Sequence, residues 1–423
     1  MNAPEMLRMA LIRQKFPETA PIDIPATLDR ELARLKSRIK PGANIAVGVG
    51  SRGISNLEAI VRVVIAFLKD SKAIPFIVPA MGSHGGATPE GQLELLAEYG
   101  ITEARLGVAI RADVGAERIG ATSEGVDVFF SNEAIRADGV IVVNRIKPHT
   151  DFHSDTLGSG LLKMLVIGLG KRPGAANFHV SANRLGYEHV IRTSARITLE
   201  KAPILGGVGI IENERHDTAR LAVLLPEEIE RRETELYAEA KRLMPRLPFD
   251  DIDLLIIDRI GKNISGSGMD PNVTGRRIHG YSSLLGDRSA NPVIRRIFVR
   301  DLTPETHGNA VGIGLADFTT TRLVRATNQS ITALNALTAL SLQSVKIPIH
   351  FETDREAITR ALESLALRDV REARVMRIRD TLSLESVSVS AAFVALAAKR
   401  QDLQLLAEPQ GMDFDPAGNL TAF

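Results

Sequence analysis

Short aliphatic runs alternate with amphipathic stretches along the first half of the chain. Residues 45–49, 74–78 and 139–143 are a few positions long and almost wholly apolar, as strands buried on both faces should be. Residues 56–69 and 88–99 instead space their apolar side chains at helical intervals and set charged residues between them. Strand followed by helix, repeated, predicts an α/β domain with a largely parallel sheet. Two further strands are read at 204–211 and 221–225, then a charged helix at 226–243. Pro245 and Pro248 stop that helix, since proline has no N–H for the next helical bond, and they mark a domain boundary. A second α/β unit opens with the apolar strand 252–257, and helices are expected at 330–342, 354–367 and 391–400. The expectation is two α/β domains, 1–247 and 248–423, each with a largely parallel sheet.

Composition narrows the function more than the fold. A chain of 423 residues suits two or three domains, and Lys plus Arg at 52 against Asp plus Glu at 51 leaves no charge excess for nucleic acid or an anionic membrane. There is no cysteine, which removes disulfides and thiolate metal sites and leaves His, Asp and Glu as metal ligands. No secretory leader is read in residues 1–16, and no apolar run approaches the ~20 residues that span a bilayer. A soluble, cytoplasmic protein is expected.

Four glycine-marked or proline-marked loops follow apparent strands: 48–53, 82–86, 144–150 and 261–268. Ligands of open α/β sheets bind at such strand ends, where backbone amides are exposed. None of the four is a Walker A loop or a dinucleotide fingerprint. Three histidines stand in or beside loops, His84 in Gly-Ser-His-Gly-Gly, His149 in Lys-Pro-His-Thr and His307 in Thr-His-Gly-Asn. Imidazole titrates near neutrality and suits proton transfer, although any one of these rings taken alone serves equally as a turn cap. Lys163 lies in the apolar, glycine-rich stretch 158–165, where it either snorkels to water or is buried as a nucleophilic amine. His179, in Ala176-Asn177-Phe178-His179, is either a metal ligand or a satisfied helix histidine.

Taken together and in this order, these residues resemble the lactate racemase family of nickel-pincer enzymes. Its members carry a Gly-x-His loop early in the chain, matched by Gly82-Ser83-His84, then an Asp-x-x-Ile strand and loop histidine, matched by Asp138-Gly139-Val140-Ile141 and His149. A glycine-rich segment with a lysine follows, matched by Gly158 to Lys163 with Gly168 and Gly170, and then the Ala-Asn-x-His element at His179.

The resemblance implies that Lys163 carries a covalently attached nickel pincer nucleotide (pyridinium-3,5-bisthiocarboxylic acid mononucleotide nickel). His179 would be the remaining nickel ligand, and His84 and His149 the paired acid and base. Square-planar nickel with two sulfurs, a ring carbon and an imidazole nitrogen needs no protein thiol. Arg52 matches the early loop arginine and would bind the cofactor or the substrate carboxylate, for which a guanidinium fork is suited. Lys262, in the loop 261–268, stands where the family places a substrate-binding lysine, and His307 in a His-Gly loop resembling one of the second domain. The implied activity is inversion of the hydroxyl-bearing carbon of a 2-hydroxy acid through a 2-keto acid. The N-terminal domain would hold cofactor and catalysis, the C-terminal domain would contribute to a substrate cleft between the two, and cofactor-biosynthesis proteins would be partners.

Departures bear on the substrate and on one base. The interval from His149 to Lys163 is a few residues longer than in the family, so His153 competes with His149. There is no tryptophan to cover the site, and Val49 replaces an expected acidic residue. With Lys262, Asn263, Ser265 and Arg276 close in sequence, a sugar acid is favoured over lactate. Two other classes stay open: a His-ligated metal hydrolase, for which no His-Glu-x-x-His spacing exists, and a non-catalytic nucleotide- or anion-binding protein of the same fold.

Overall fold

The computed structural model describes residues 3–17, 19–50, 53–150, 152, 154–276 and 292–423. The chain falls into two compact units, one of residues 19–149 and 153–244, the other of residues 1–18, 150–152 and 245–423. Strand β1 (Arg8–Gln14) belongs to the second of these. The boundary expected after residue 247 counted it with the first. Its assignment rests on pairing across more than 370 residues of sequence, which no local pattern reports.

In the first unit β2 (Asn44–Val49) and β3 (Ile74–Pro79) pair in parallel. A separate antiparallel hairpin, β4 (Ala116–Ala121) with β5 (Asp127–Ser131), comes next in the chain. Strands β6 (Gly139–Arg145), β7 (Ile204–Glu212) and β8 (Thr218–Leu224) complete a five-stranded sheet of order β3-β2-β6-β7-β8. Only β8 runs antiparallel to its neighbour. Helix α1 (Leu57–Asp70) buries Ile60, Val61, Val64 and Leu68 in one cluster with Val47, Ile77, Ile141 and Val208. Each such aliphatic side chain contributes roughly 1.5–3 kcal/mol, which holds the helix to the sheet.

Helix α2 (Pro89–Glu98) starts where the Thr88 side chain accepts from the Gly91 N–H, with Pro89 in the first turn. Helices α3 (Lys171–Leu185) and α4 (Tyr187–Lys201) follow one another across Gly186, and α5 (Ile229–Arg242) ends the unit.

The second unit is built on a nine-stranded sheet. Strands β9 (Asp251–Ile260), β10 (Val293–Leu302) and β11 (Phe318–Thr320) run parallel, and helix α6 (Gln329–Thr338) leads to the parallel edge strand β12 (Ile349–Phe351). Helix α7 (Asp354–Glu363) precedes β13 (Val375–Ile378), which lies parallel to β9 on its other side. The rest is antiparallel: β14 (Ser386–Ser390), then β1, then β15 (Leu403–Leu405). Side chains alternate across β9, so that Leu254 and Ile256 join Ile358 and Leu362 of α7 while Leu255 and Ile257 join Val387 and Phe393. The fold is α/β, with mostly parallel strands and an antiparallel extension in the second unit. Among the described residues no helix is long and apolar enough to cross a membrane.

Candidate active site at the strand ends of the first unit

The neighbouring parallel strands β2, β3 and β6 all finish at the same edge of their sheet, and the segment 158–170 is drawn against that edge from three sides. From β6, the Asn144 side-chain amide donates to Gly160 O at 3.0 Å, and Lys147 and Ser159 exchange backbone bonds of 2.9 and 2.8 Å. From β3, the Gly82 N–H donates to Gly168 O at 3.0 Å with φ at 60°, a left-handed conformation natural to glycine. From β2, Gly50 lies so close to Met164 and Asn144 that a Cβ there would stand 2.9 Å from the methionine methyl. This is the crevice at which parallel α/β sheets hold ligands.

Lys163 ends a short helical turn, Leu161–Lys163, which runs directly into a π-helical turn, Met164–Gly168. The wider turn is a costly conformation and is found disproportionately at functional sites. Leu161, Leu162, Met164 and Leu165 are buried around the half-buried lysine, whose Nζ lies 2.5 Å from His149 Nε2. His149 itself is only 8% exposed. A hydrogen bond between an amine and an imidazole requires a lone pair on one of them, so the pair in contact cannot both carry an added proton. The chemistry available there is a nucleophilic amine with a proton acceptor at its side.

His84 is half-buried in the loop after β3, where its N–H closes a turn on Met81 O at 3.1 Å. Gln92 of α2, fully buried, donates its side-chain amide to Gly82 O at 3.3 Å and His84 O at 3.4 Å, which fixes the loop from below. His179 lies on α3, its ring edge-on to Phe178 at 5.6 Å and to Tyr187 at 6.4 Å. The structure thus brings His149 to Lys163 and ties the loop of His84 to the turn after that lysine, while His179 stands on the helix that follows. Arg52 and His153 lie outside the described residues.

Three residues unnoticed in the sequence support this segment. Glu233 of α5 is buried, and its Oε2 accepts from the Leu162 N–H at 2.9 Å, capping the turn that carries Lys163. Its Oε1 is buried with no hydrogen-bond partner among the described residues, and a Cβ on Gly160 would collide with it. Burial pushes the Glu233 carboxyl up to about 7, with the backbone N–H groups of Leu162 and Leu161 pulling the other way. A carboxylate within the buried stripe Ile229, Glu233, Leu236, Tyr237 and Ala240 was the available signal. Lys171, fully buried at φ 54°, donates to Pro79 O at 2.7 Å; desolvation lowers it to about 8, opposed by Asp113 and Glu133. Gln92 offered no sequence signal beyond its place on a helix.

In the second unit, the Lys262 Nζ donates to Gly266 O at 2.6 Å and to Asn335 Oδ1 at 2.9 Å. Asn263 accepts from Thr303 at 2.6 Å, Ser265 and Ser267 pair at 3.2 Å, and Arg276 is bound to Asp317 at 2.8 Å. These four polar groups, which favoured a sugar acid, are bonded to other groups of the second unit. His307 is exposed at φ 50°, closing a short turn. Among the described residues no three His, Asp or Glu side chains form a metal-ligating group.

Comparison with known proteins agrees with this picture. Residues 24–184 match the family model described as lactate racemase N-terminal domain. The fold is similar to that of the lactate racemase apoprotein from Thermoanaerobacterium thermosaccharolyticum, at 14% identity and TM-score 0.51 over 89% of this chain and 94% of that one. It is also similar to a crystal structure of a protein from Thermotoga maritima, at 13% identity and TM-score 0.51 over 78% of this chain and 84% of that one. No curated protein matches the chain. The matched segment contains the whole strand-end crevice with His84, His149, Lys163 and His179, and over it the chain is similar to the lactate racemase family.

Proposed function

We propose that the chain is a racemase or epimerase that inverts the hydroxyl-bearing carbon of a 2-hydroxy acid, with Lys163 as the attachment point of a nickel pincer nucleotide. The observation that carries this reading is the 2.5 Å contact of Lys163 Nζ with His149 Nε2 at converging strand ends, inside the segment matching the lactate racemase N-terminal domain. The donor chemistry fits the group. A half-buried amine among apolar side chains suits a covalent tether, imidazole suits nickel, and a chain without cysteine offers no competing thiolate. Lys163 would hold the group and His179 would ligate its metal.

When bound, the group supplies a reversible hydride acceptor. The remaining chemistry falls to the chain itself. His84 and His149, on loops from different strands, would take the hydroxyl proton on one face of the substrate and return it on the other, since inversion needs a base on each side. Arg52 would orient the carboxylate. Buried Leu161, Leu162 and Leu165 restrict water around the amine. The substrate is a 2-hydroxy acid, for which a panel from lactate to sugar acids is the direct assay.

The decisive experiment is intact mass of protein produced together with the cofactor-biosynthesis proteins. A covalent adduct lost in Lys163→Ala, with bound nickel lost in His179→Ala, is the expected result. Nickel-free, unmodified protein that still inverts a 2-hydroxy acid would overturn the assignment of both residues.

A further inference from the structure

Helix α6 is mounted the wrong way round for a surface helix. Its buried positions are Thr332 and Ala336, while Ile331, Leu334 and Leu337 point outward, the two leucines 67% and 60% exposed. Its rotation is held by polar contacts of the inner face. Thr332 Oγ1 accepts from the Ala310 N–H at 3.0 Å, and Asn335 Oδ1 accepts from Lys262 at 2.9 Å and from the Asn309 amide at 3.3 Å. The aliphatic face therefore cannot roll inward without breaking those bonds.

The exposed apolar surface continues along the chain through Leu340, Leu342 and Ile347 to Ile349 on β12, the outer strand of the sheet. By their fractional exposures these seven apolar residues together leave roughly 700 Å² of residue surface in water, against the ~300–600 Å² of the largest apolar patch on an ordinary monomer. It is close to the ~800 Å² that each partner brings to a standard protein interface.

The charge pattern selects the occupant. Residues 327–345 contain no Asp, Glu, Lys or Arg, in a chain that is 24% charged. A two-fold contact brings charges near its axis against their own copies, and a stretch without charge escapes that repulsion. At the border stand Arg325 and Glu352, a solvent-exposed pair of opposite sign at 3.5 Å, which suits the polar rim of an interface.

We propose that the face formed by α6, residues 339–347 and β12 is the interface of a homodimer in which each copy covers the same face of the other. The surface is apolar enough to be buried and large enough to hold a stable pair, and Lys346 is the one Asp, Glu, Lys or Arg side chain within it. The proposal is independent of the catalytic reading, because neither the crevice of Lys163 nor any cofactor enters it.

Light scattering and sedimentation of the full chain over a range of concentrations should give twice the 45.9 kDa of one copy. Leu334→Glu and Leu337→Glu should each shift the species to monomer with circular dichroism unchanged. Because the chain has no cysteine, single substitutions give a background-free second test. Under mild oxidation Leu337→Cys or Leu334→Cys should form a disulfide-linked dimer, while Ile74→Cys, on an exposed position of the first unit, should not. A monomeric wild type at all concentrations would overturn the proposal and leave the face to the rest of the chain or to another protein. A dimer unaffected by both glutamate variants, or cross-linking no greater at 334 and 337 than at 74, would overturn it as well.

Discussion

Two lysines of this chain look alike in sequence and end in opposite situations. Lys163 and Lys262 each sit in a glycine-rich segment, at positions 158–165 and 261–268. The amine of Lys163 meets an imidazole nitrogen at 2.5 Å, on a turn capped from beneath by a buried carboxylate. The amine of Lys262 closes its own loop, on Gly266 O and on the side chain of Asn335. The proposed function uses the amine beside the imidazole, whereas the bonds of Lys262 to two neutral oxygens hold parts of the second unit together. Glycine content separates neither case, because both loops need close backbone approach.

The largest test of that difference is substitution of the two lysines. Lys163→Ala should remove the covalent adduct and bring turnover to background, seen by intact mass and by epimer exchange. Next come the paired histidines: His149→Ala and His84→Ala should each lower kcat by about 10²–10⁴-fold while the adduct still forms, the usual range for loss of a positioned acid or base. An adduct that fails to form in His149→Ala would recast that ring as an activator of Lys163 instead of a base for substrate.

Glu233 sharpens the comparison through pH. Its carboxyl is raised in the folded state from 4.5 to about 7, so the native state holds the proton more tightly than the unfolded chain. The stability that this contributes is complete below pH 4.5 and is lost as pH rises through 7, a total of about 3 kcal/mol. Glu233→Gln cannot titrate, so urea unfolding of wild type relative to this variant should lose about 3 kcal/mol between pH 4 and pH 8. A flat difference would mean that burial leaves the carboxyl at its unfolded value.

Gly160→Ala should then destabilise by about 1–3 kcal/mol, because its Cβ meets Glu233 Oε1, and Gly160→Ala combined with Glu233→Ala should recover most of that loss. The smallest effect is expected of Lys262→Ala, about 1–2 kcal/mol of stability for two hydrogen bonds and less than about a tenfold rise in KM. Loss of turnover equal to that of Lys163→Ala would erase the contrast between the two loops.

Much of the fold was legible because its elements follow local rules. The strands read at 45–49, 74–78, 139–143 and 252–257 lie within strands of the structure, and the helix at 56–69 within one residue of α1, since continuous aliphatic runs and helical periodicity need no distant partner to be recognised. The short strands at 375–378 and 386–390 and the helices at 171–201 were not read. Ser386–Ser390 alternates serine with valine over five residues, and α3 has a weakly apolar face interrupted by Arg172, Pro173 and Gly174. The helix expected at 330–342 stops at Thr338, where Leu340 turns to a φ of 52°.

By itself the sequence determined the succession of strands and helices, the absence of thiol chemistry, and the order of His84, His149, Lys163 and His179, because residue types and short-range spacing are properties of the chain. Tertiary structure alone decided which of two similar lysines meets a histidine, which carboxylate lies under the turn of Lys163, and that β1 pairs in the sheet of the second unit. Those outcomes depend on contacts between residues tens to hundreds of positions apart, and burial and hydrogen bonding across such distances arise only when the backbone has closed.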